Sequence, residues 1–375
     1  MGWISAAAGL ALVFIILWDA FEAMVLPRRV TQKIRLTRLF YAIAWRPWAA
    51  LARHVKKPGR RENYLSFFGP LSLLILIGIW ATGLLLGFAL LHFGIGKLRP
   101  DASDFISTLY MSGTTLFTLG IGDVTPESGT SKMLTVLESG TGIAFLALII
   151  SYLPVLYGAF SEREINISLL DARAGSPPNG TELLIRAQAD DAGLTHFLAE
   201  WERWSAQLLE SHLSYPVLGY YRSQHSNQSW LAALTTILDT CTMLMTHTKG
   251  SSVKQARLTF AMARHALIDL AQIYGTPPRI LEPDRLSEEQ FSRTIQSLKK
   301  AGYKIQATAA TRSALDDLRL LYEPYAHSLA CLFLIQLPPW EAEKSGHDNW
   351  QSHPWKEFLK LTESRKKSQQ MQDHF

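Results

Sequence analysis

The chain has 375 residues, 48% of them apolar, with 37 basic against 32 acidic side chains and a formal charge of +5. That length allows two or three domains, and so modest a charge gives no argument for a nucleic-acid partner; none is expected. The two cysteines, Cys241 and Cys331, stand far apart without a regular Cys/His spacing, which excludes an ordinary zinc site and fits a reducing compartment.

Apolar residues crowd the first 160 positions, whereas the remainder mixes polar and apolar residues in the manner of a soluble helical protein. The first run, residues 3–26, is long enough to cross a ~30 Å hydrocarbon core, which takes about 20 helical residues. It reads as a retained span, because Asp19 and Glu22 stand where a cleaved leader would carry small residues. Those two acids, three residues apart, share a helix face. Neutralisation by Arg28 and Arg29 is the simplest account of them, beside a role in gating. Pro27 ends the helix. The stretch 28–63 is rich in Arg and Lys and holds a single acid, Glu62. The positive-inside rule therefore places it in the cytoplasm and the N-terminus outside, in a multi-pass protein of the cell's inner (cytoplasmic) membrane. Ile34, Leu36, Leu39, Phe40, Ile43, Trp45 and Trp48 interleave with the basic residues, as in an interfacial helix lying on anionic lipid headgroups. It anchors topology on one reading; on the other, lipid acting through Arg35 and Arg38 regulates the protein.

Residues 65–93 form a second run, with Ser66, Gly69 and Pro70 at its entrance and Gly78, Gly83 and Gly87 inside, small residues that permit close helix packing. After an outer turn at 94–102, residues 103–117 are too short and polar to span but keep helical spacing. They read as a re-entrant half-helix, capped by Asp101 or Ser103, whose C-terminal dipole favours a cation. Just past its end, Thr118 precedes two glycines, Gly120 and Gly122, that alternate with Leu119 and Ile121. Such a segment runs extended with its carbonyls on one side, and a row of carbonyls can replace a cation's hydration shell.

The hexad Thr118-Leu119-Gly120-Ile121-Gly122-Asp123, approached through Thr114-Thr115, resembles the signature filter of the potassium channel family, Thr-Val-Gly-Tyr-Gly-Asp, with Leu119 for valine and Ile121 for tyrosine. The resemblance implies a passive pore with potassium as the permeant ion, no further cofactor, and four identical chains around one axis. Thr118 to Gly122 would bind the ion and Asp123 would stand at the outer mouth. Because Ile121 removes the aromatic ring that props the family's filter open, a nonselective cation channel is the alternative. A membrane sensor or assembly protein with a non-conducting pore is the other.

The third run, residues 133–160, returns the chain to the cytoplasm, with Lys132 at its outer end. Gly142 falls where the resemblance implies an inner-helix hinge, Gly140 being the second choice, and Pro154 is expected to kink the helix below. Glu138, one turn before Gly142, is an acid inside a span and so a functional candidate. It is expected to bond the pore helix through Ser112, Thr114 or Thr115 and stiffen the filter, or to make a structural contact between subunits. No span carries arginine at every third position, so intrinsic voltage sensitivity is expected to be weak.

A composition change at 161–164 and the breaker-rich 175–180 lead into helical periodicity at 183–191, 194–213, 229–246, 253–274, 288–300 and 310–337. No Gly-x-Gly-x-x-Gly, phosphate loop or nucleophile and base set identifies a ligand or an enzyme. Trp201, Trp204, Tyr215, Tyr220, Tyr221 and Trp230 read as helical core in preference to a ligand pocket, and His196, His212 and His225 lack ligand spacing. The ligand or protein partner of this domain stays unidentified. The expected organisation is an all-α membrane protein of three transmembrane helices plus a re-entrant pore helix and filter, followed by an all-α cytoplasmic domain. Its divisions are a first span (1–27), a basic interfacial loop (28–63), a pore domain (64–160), the helical domain (161–345) and a polar tail (346–375) without fixed structure.

Overall fold

The structure, a computed structural model, describes residues 2–26, 36–95, 98–99, 104–225, 227–280 and 284–341. It is an all-α membrane protein with three helices long and apolar enough to cross a membrane. Arg28, Arg29, Arg35, Lys97, Asp101, Ser103 and the tail lie outside the described residues. Two compact units are formed, Met1–Glu162 with Leu209–Arg222, and Arg163–Leu208 with Ser223–Phe375.

In the first unit, α1 (Gly2–Met24) packs along α4 (Phe68–Ile95). Glycines set the separation: a Cβ on Gly9 would stand 2.5 Å from the Gly87 carbonyl oxygen, so backbone rests on backbone. Asp19 is buried in this contact, where its carboxylate accepts from the Trp80 indole at 2.9 Å and from the Thr37 hydroxyl at 2.6 Å. A buried acid with two donors on neighbouring helices is a structural tie; the expected pairing with Arg28 and Arg29 falls outside the described residues. Between the two spans, α2 (Leu36–His54) and α3 (Pro58–Ser66) carry the basic stretch. α2 buries Tyr41, Trp45, Ala49 and Ala52 at turn spacing, while Leu39, Ile43 and Leu51 on its other side are exposed. The re-entrant helix is α5 (Phe105–Leu116), flanked by a two-residue antiparallel pair, β1 (Leu98–Arg99) with β2 (Thr125–Pro126). The last span is α6 (Gly129–Ala174), one unbroken helix of 46 residues. It passes residue 160, where the composition change suggests an end, because nothing in Ser161-Glu162-Arg163-Glu164 breaks a helix.

The second unit assembles α7 (Gly180–Ala187), α8 (Asp191–Ser214, entering from this unit), α9 (Trp230–His247), α10 (Ser251–Ile273), α11 (Glu288–Lys300), α12 (Ala309–Leu320) and α13 (Glu323–Phe333). The periodic stretch expected as one helix at 310–337 is two, α12 and α13. Pro324 stands in the first turn of the second, where its missing N–H is harmless, but it cannot extend the helix before it. α9 is buried along almost its whole length and is the axis on which α7, α10, α12 and α13 pack. Its threonines find carbonyl partners: Thr235 and Thr240 donate one turn back, both at 2.7 Å, and Thr236 donates to Pro178 at 3.0 Å. Asp239 accepts from Arg285 at 2.6 Å and from the Tyr322 hydroxyl at 2.5 Å. Burial pushes the Asp239 carboxyl up against the opposing pull of Arg285, so the pair holds only while both members are present.

His247, at the end of α9, lies beside Phe291 and faces Arg312; burial and that guanidinium hold its imidazole down at about 4 against an ordinary 6.5. A histidine depressed on folding contributes stability that is complete above the unfolded value and is lost as pH falls through it. Thermal melts of the solubilised protein between pH 6.5 and 4 are expected to decline in the wild type, and His247→Gln is expected to flatten that decline.

Candidate functional site

The site grows from the end of α5. Asp104 caps this helix, its carboxylate accepting from the Ser107 N–H at 3.0 Å. The last turn then gives its carbonyls to the segment beyond it. The Thr114 carbonyl accepts from Leu119 at 2.7 Å and from Gly120 at 3.2 Å, and that of Thr115 accepts from Thr118 at 3.0 Å. These bonds use the N–H groups of the segment's first three residues and leave their carbonyls to face elsewhere.

The backbone of the segment alternates in hand. Thr118 (φ 58°), Gly120 (59°) and Gly122 (83°) are left-handed, while Leu119 and Ile121 are not. Turning every second peptide in this way brings successive carbonyls toward a common side, which a regular strand does not do. Glycine takes that conformation freely, whereas Thr118 is held in it at a cost of order 1–3 kcal/mol. The segment lies on the surface of the single chain, with Leu119 66% and Ile121 60% exposed. Beyond it, Asp123 accepts from the Val124 N–H at 3.0 Å and faces the Tyr110 hydroxyl, and Arg99 pairs with Glu127 at 2.7 Å beside the β1–β2 pair.

Behind α5, three helices meet on one carboxylate. Glu138 of α6 is fully buried; one of its oxygens accepts from the Ser112 hydroxyl of α5 and the other meets His92 Nε2 of α4 at 3.0 Å. Ser112 also lies 3.2 Å from the Leu85 carbonyl of α4. Of the three expected partners on the pore helix, Ser112 is the one that reaches Glu138. Thr114 turns its hydroxyl to the Met111 carbonyl at 2.9 Å and supports the segment through its own carbonyl. His92 is a partner beyond those expected; its signal in the sequence is a lone ionisable residue within an apolar run.

Gly142 meets the end of α5 so closely that a Cβ there would collide with the Leu116 carbonyl oxygen, while Gly140 faces open space in the single chain. α6 continues without interruption through both Gly142 and Pro154. The geometry therefore gives Gly142 a contact role: its missing side chain lets α6 touch the end of α5. Pro154 withdraws one hydrogen bond from the helical ladder.

The aromatic set of the sequence is divided between the units. Trp201 and Trp204 pack on each other at 4.6 Å in the second unit, and Trp230 sits against Phe333 there. Tyr215, Tyr220 and Tyr221 belong to the first unit. His196 is exposed beside Glu200, His212 is buried and His225 is exposed. Among the described residues no group of three or more His, Cys, Asp or Glu could hold a metal ion.

Residues 72–156, which contain most of α4, all of α5, the alternating segment and the membrane part of α6, match the family model described as "Ion channel". The chain thus carries an ion-channel-type domain within an all-α membrane protein. It is also 22% identical over 288 residues to the uncharacterized membrane protein YdjJ of Bacillus subtilis (strain 168), a match that covers 71% of this chain and 82% of that one. No solved structure matches.

Truncating the buried acid, Glu138→Ala, leaves Ser112 and His92 without their shared partner and is expected to cost about 1–3 kcal/mol. Glu138→Gln is expected to cost less; melting temperatures of the solubilised protein measure both. Gly142→Ala is expected to destabilise by about 1–3 kcal/mol as well, because the obstacle it meets is backbone. Melting unchanged by Gly142→Ala would contradict the contact role.

Proposed function

We propose that this protein is a passive cation channel of potassium type, built as a homotetramer in which Thr118, Leu119, Gly120, Ile121 and Gly122 bind the dehydrated ion in a ring of carbonyls. The observation that carries the reading is the alternation of left-handed and ordinary backbone at 118–122, anchored by its N–H groups to the end of α5. A single chain supplies one side of such a coordination shell, and closed rotational symmetry supplies the rest. Two further features support assembly: exposed Leu119 and Ile121 at the segment, and exposed Met133, Val136, Leu137, Ile143, Leu146 and Ile150 along α6. Asp123 stands at the outer mouth, and Glu138 with Ser112, Thr114 and Thr115 fixes the filter from behind.

On this reading the N-terminus faces outside and the basic stretch 28–63 meets anionic headgroups on the cytoplasmic side of the inner membrane. The second unit lies in the cytoplasm and conveys a stimulus still to be identified. Pro154 marks where α6 would flex, and flexing at Gly142 would have to release its contact with the Leu116 carbonyl.

Ile121 favours a second reading, a nonselective cation channel on the same scaffold, because an aliphatic side chain cannot make the ring contacts that hold a filter at one width. Currents through purified protein in bilayers under opposed potassium and sodium gradients separate the two. Reversal near the potassium potential is expected, with Ile121→Tyr leaving it there or moving it closer. An intermediate reversal potential identifies the nonselective pore, and silence under every condition contradicts both.

A further inference from the structure

The part of the first unit farthest from its neighbours in sequence is Leu209–Arg222, which is flanked on both sides by residues of the second unit. It consists of the end of α8 and a short 3-10 turn, Pro216–Tyr220. The join is stiff. The Tyr215 N–H still bonds the Ser211 carbonyl at 2.8 Å in helical fashion, Pro216 fixes the next φ, and the turn is closed by Leu218 to Tyr215 at 3.0 Å and Tyr221 to Leu218 at 3.1 Å.

Three tyrosines then leave the turn toward three different helices. The Tyr220 ring stacks on Tyr41 of α2 at 5.2 Å and 12°, meets Trp45 of the same helix edge-on at 5.2 Å, and touches Phe68 at the start of α4 at 5.2 Å. Tyr221 fills the space left by Gly69 of α4, where a Cβ would come within 2.6 Å of the ring, and packs against Phe160 of α6 at 5.6 Å. Tyr215 meets Tyr152 of α6 edge-on at 5.5 Å. Arg222 reaches Glu62 of α3 at 3.7 Å. A segment of a few residues thus joins α2, α3, α4 and α6 below the filter, and both of its ends run covalently into the helical unit.

We propose that Leu209–Arg222 is a coupling strap: it clamps the part of α6 around Tyr152 and Phe160 to α2 and the base of α4, and a movement of the second unit acts on the pore by pulling this clamp. The strap rests on the channel reading and deepens it by naming the element through which gating is transmitted. Packed rings are suited to the task, since each pair has a defined geometry that is lost in one step when the rings part. Movement of α6 alone, through its own continuation into the second unit, would leave these rings without a part in gating, and the two routes are separable by experiment.

Single-channel recording of the full-length protein in bilayers tests the strap. Tyr220→Ala removes three ring contacts from one side, and Gly69→Val expels Tyr221 from the other. Both are expected to shift open probability in the same direction, by about tenfold, with unitary conductance and reversal potential unchanged because the filter is intact. Tyr220→Phe keeps the ring and is expected to gate as wild type. Unchanged open probability in both disruptive variants, or shifts in opposite directions, overturns the proposal. A second measurement does not need current. In a Cys331→Ser background, Tyr152→Cys with Tyr215→Cys should be bridged within one chain in native membranes by a short bifunctional methanethiosulfonate. Bridging should freeze open probability until a reductant releases it. Failure to bridge overturns the clamp itself, whereas bridging in a wild-type-like protein that never conducts overturns the channel reading and, with it, any gating role for the strap.

Discussion

The structure around the re-entrant helix α5 depends on one buried carboxylate. Glu138 is fully buried, and an acid so placed must find donors or give up its charge. It finds Ser112 on α5 and meets His92 on α4, so a single side chain of α6 fixes the separation of all three helices that surround the re-entrant segment. Close approach completes what the polar contact begins. At Gly142, one turn along the same helix, α6 comes against the Leu116 carbonyl, and no residue with a side chain would allow it. The C-terminus of α5 is thereby held in place, and its free carbonyls receive the N–H groups of Thr118, Leu119 and Gly120. The alternating backbone is the last link of that chain of constraints.

The same economy governs the rest of the membrane unit. The first span is attached by glycine-to-glycine packing at Gly9 and Gly87; the Ser5 hydroxyl donates to the Leu90 carbonyl of α4 at 3.0 Å, and Asp19 with Trp80 and Thr37 ties the span to α4 and to the beginning of α2. Lipid offers no hydrophobic driving force for helix association, so close backbone approach and a few satisfied polar groups must supply it. The second unit solves the opposite problem. Its central helix is buried on all sides, and the charge beside that helix is held in the Asp239–Arg285–Glu323–Arg319 network, in which each buried member has an opposite partner.

Much of this is written in the chain. Uninterrupted apolar runs declare the spans, and the glycines at 120 and 122 mark the positions of positive φ because no other residue takes it cheaply. Glu138 stands out because an acid within an apolar run demands a partner. Its second partner is harder to read, since a lone histidine in an apolar run has no periodic signal and its contact spans 46 positions. One partner of Asp19 is hidden in the same way, since the indole that reaches it comes from 61 positions away. Local signals also compete. Asp104 caps α5 although Ser103 and Asp101 are equally good cap residues by type. The stretch 310–337 keeps helical spacing across a proline that starts a new helix instead of bending an old one. Nothing local marks Leu209–Arg222 as belonging with the membrane helices, because its tyrosines look like any soluble core until their partners on α2, α4 and α6 are known.

The central claim is that residues 118–122 line an axis shared by four copies. The most direct measurement is a cryo-electron microscopy map of the protein in lipid nanodiscs with potassium chloride. The account predicts a four-fold ring of chains with a column of ion density enclosed by the backbone oxygens of Thr118, Leu119, Gly120 and Ile121, and with α1 on the periphery. A map in which this segment faces lipid, or in which the chains associate without bringing it to a common axis, would contradict the account.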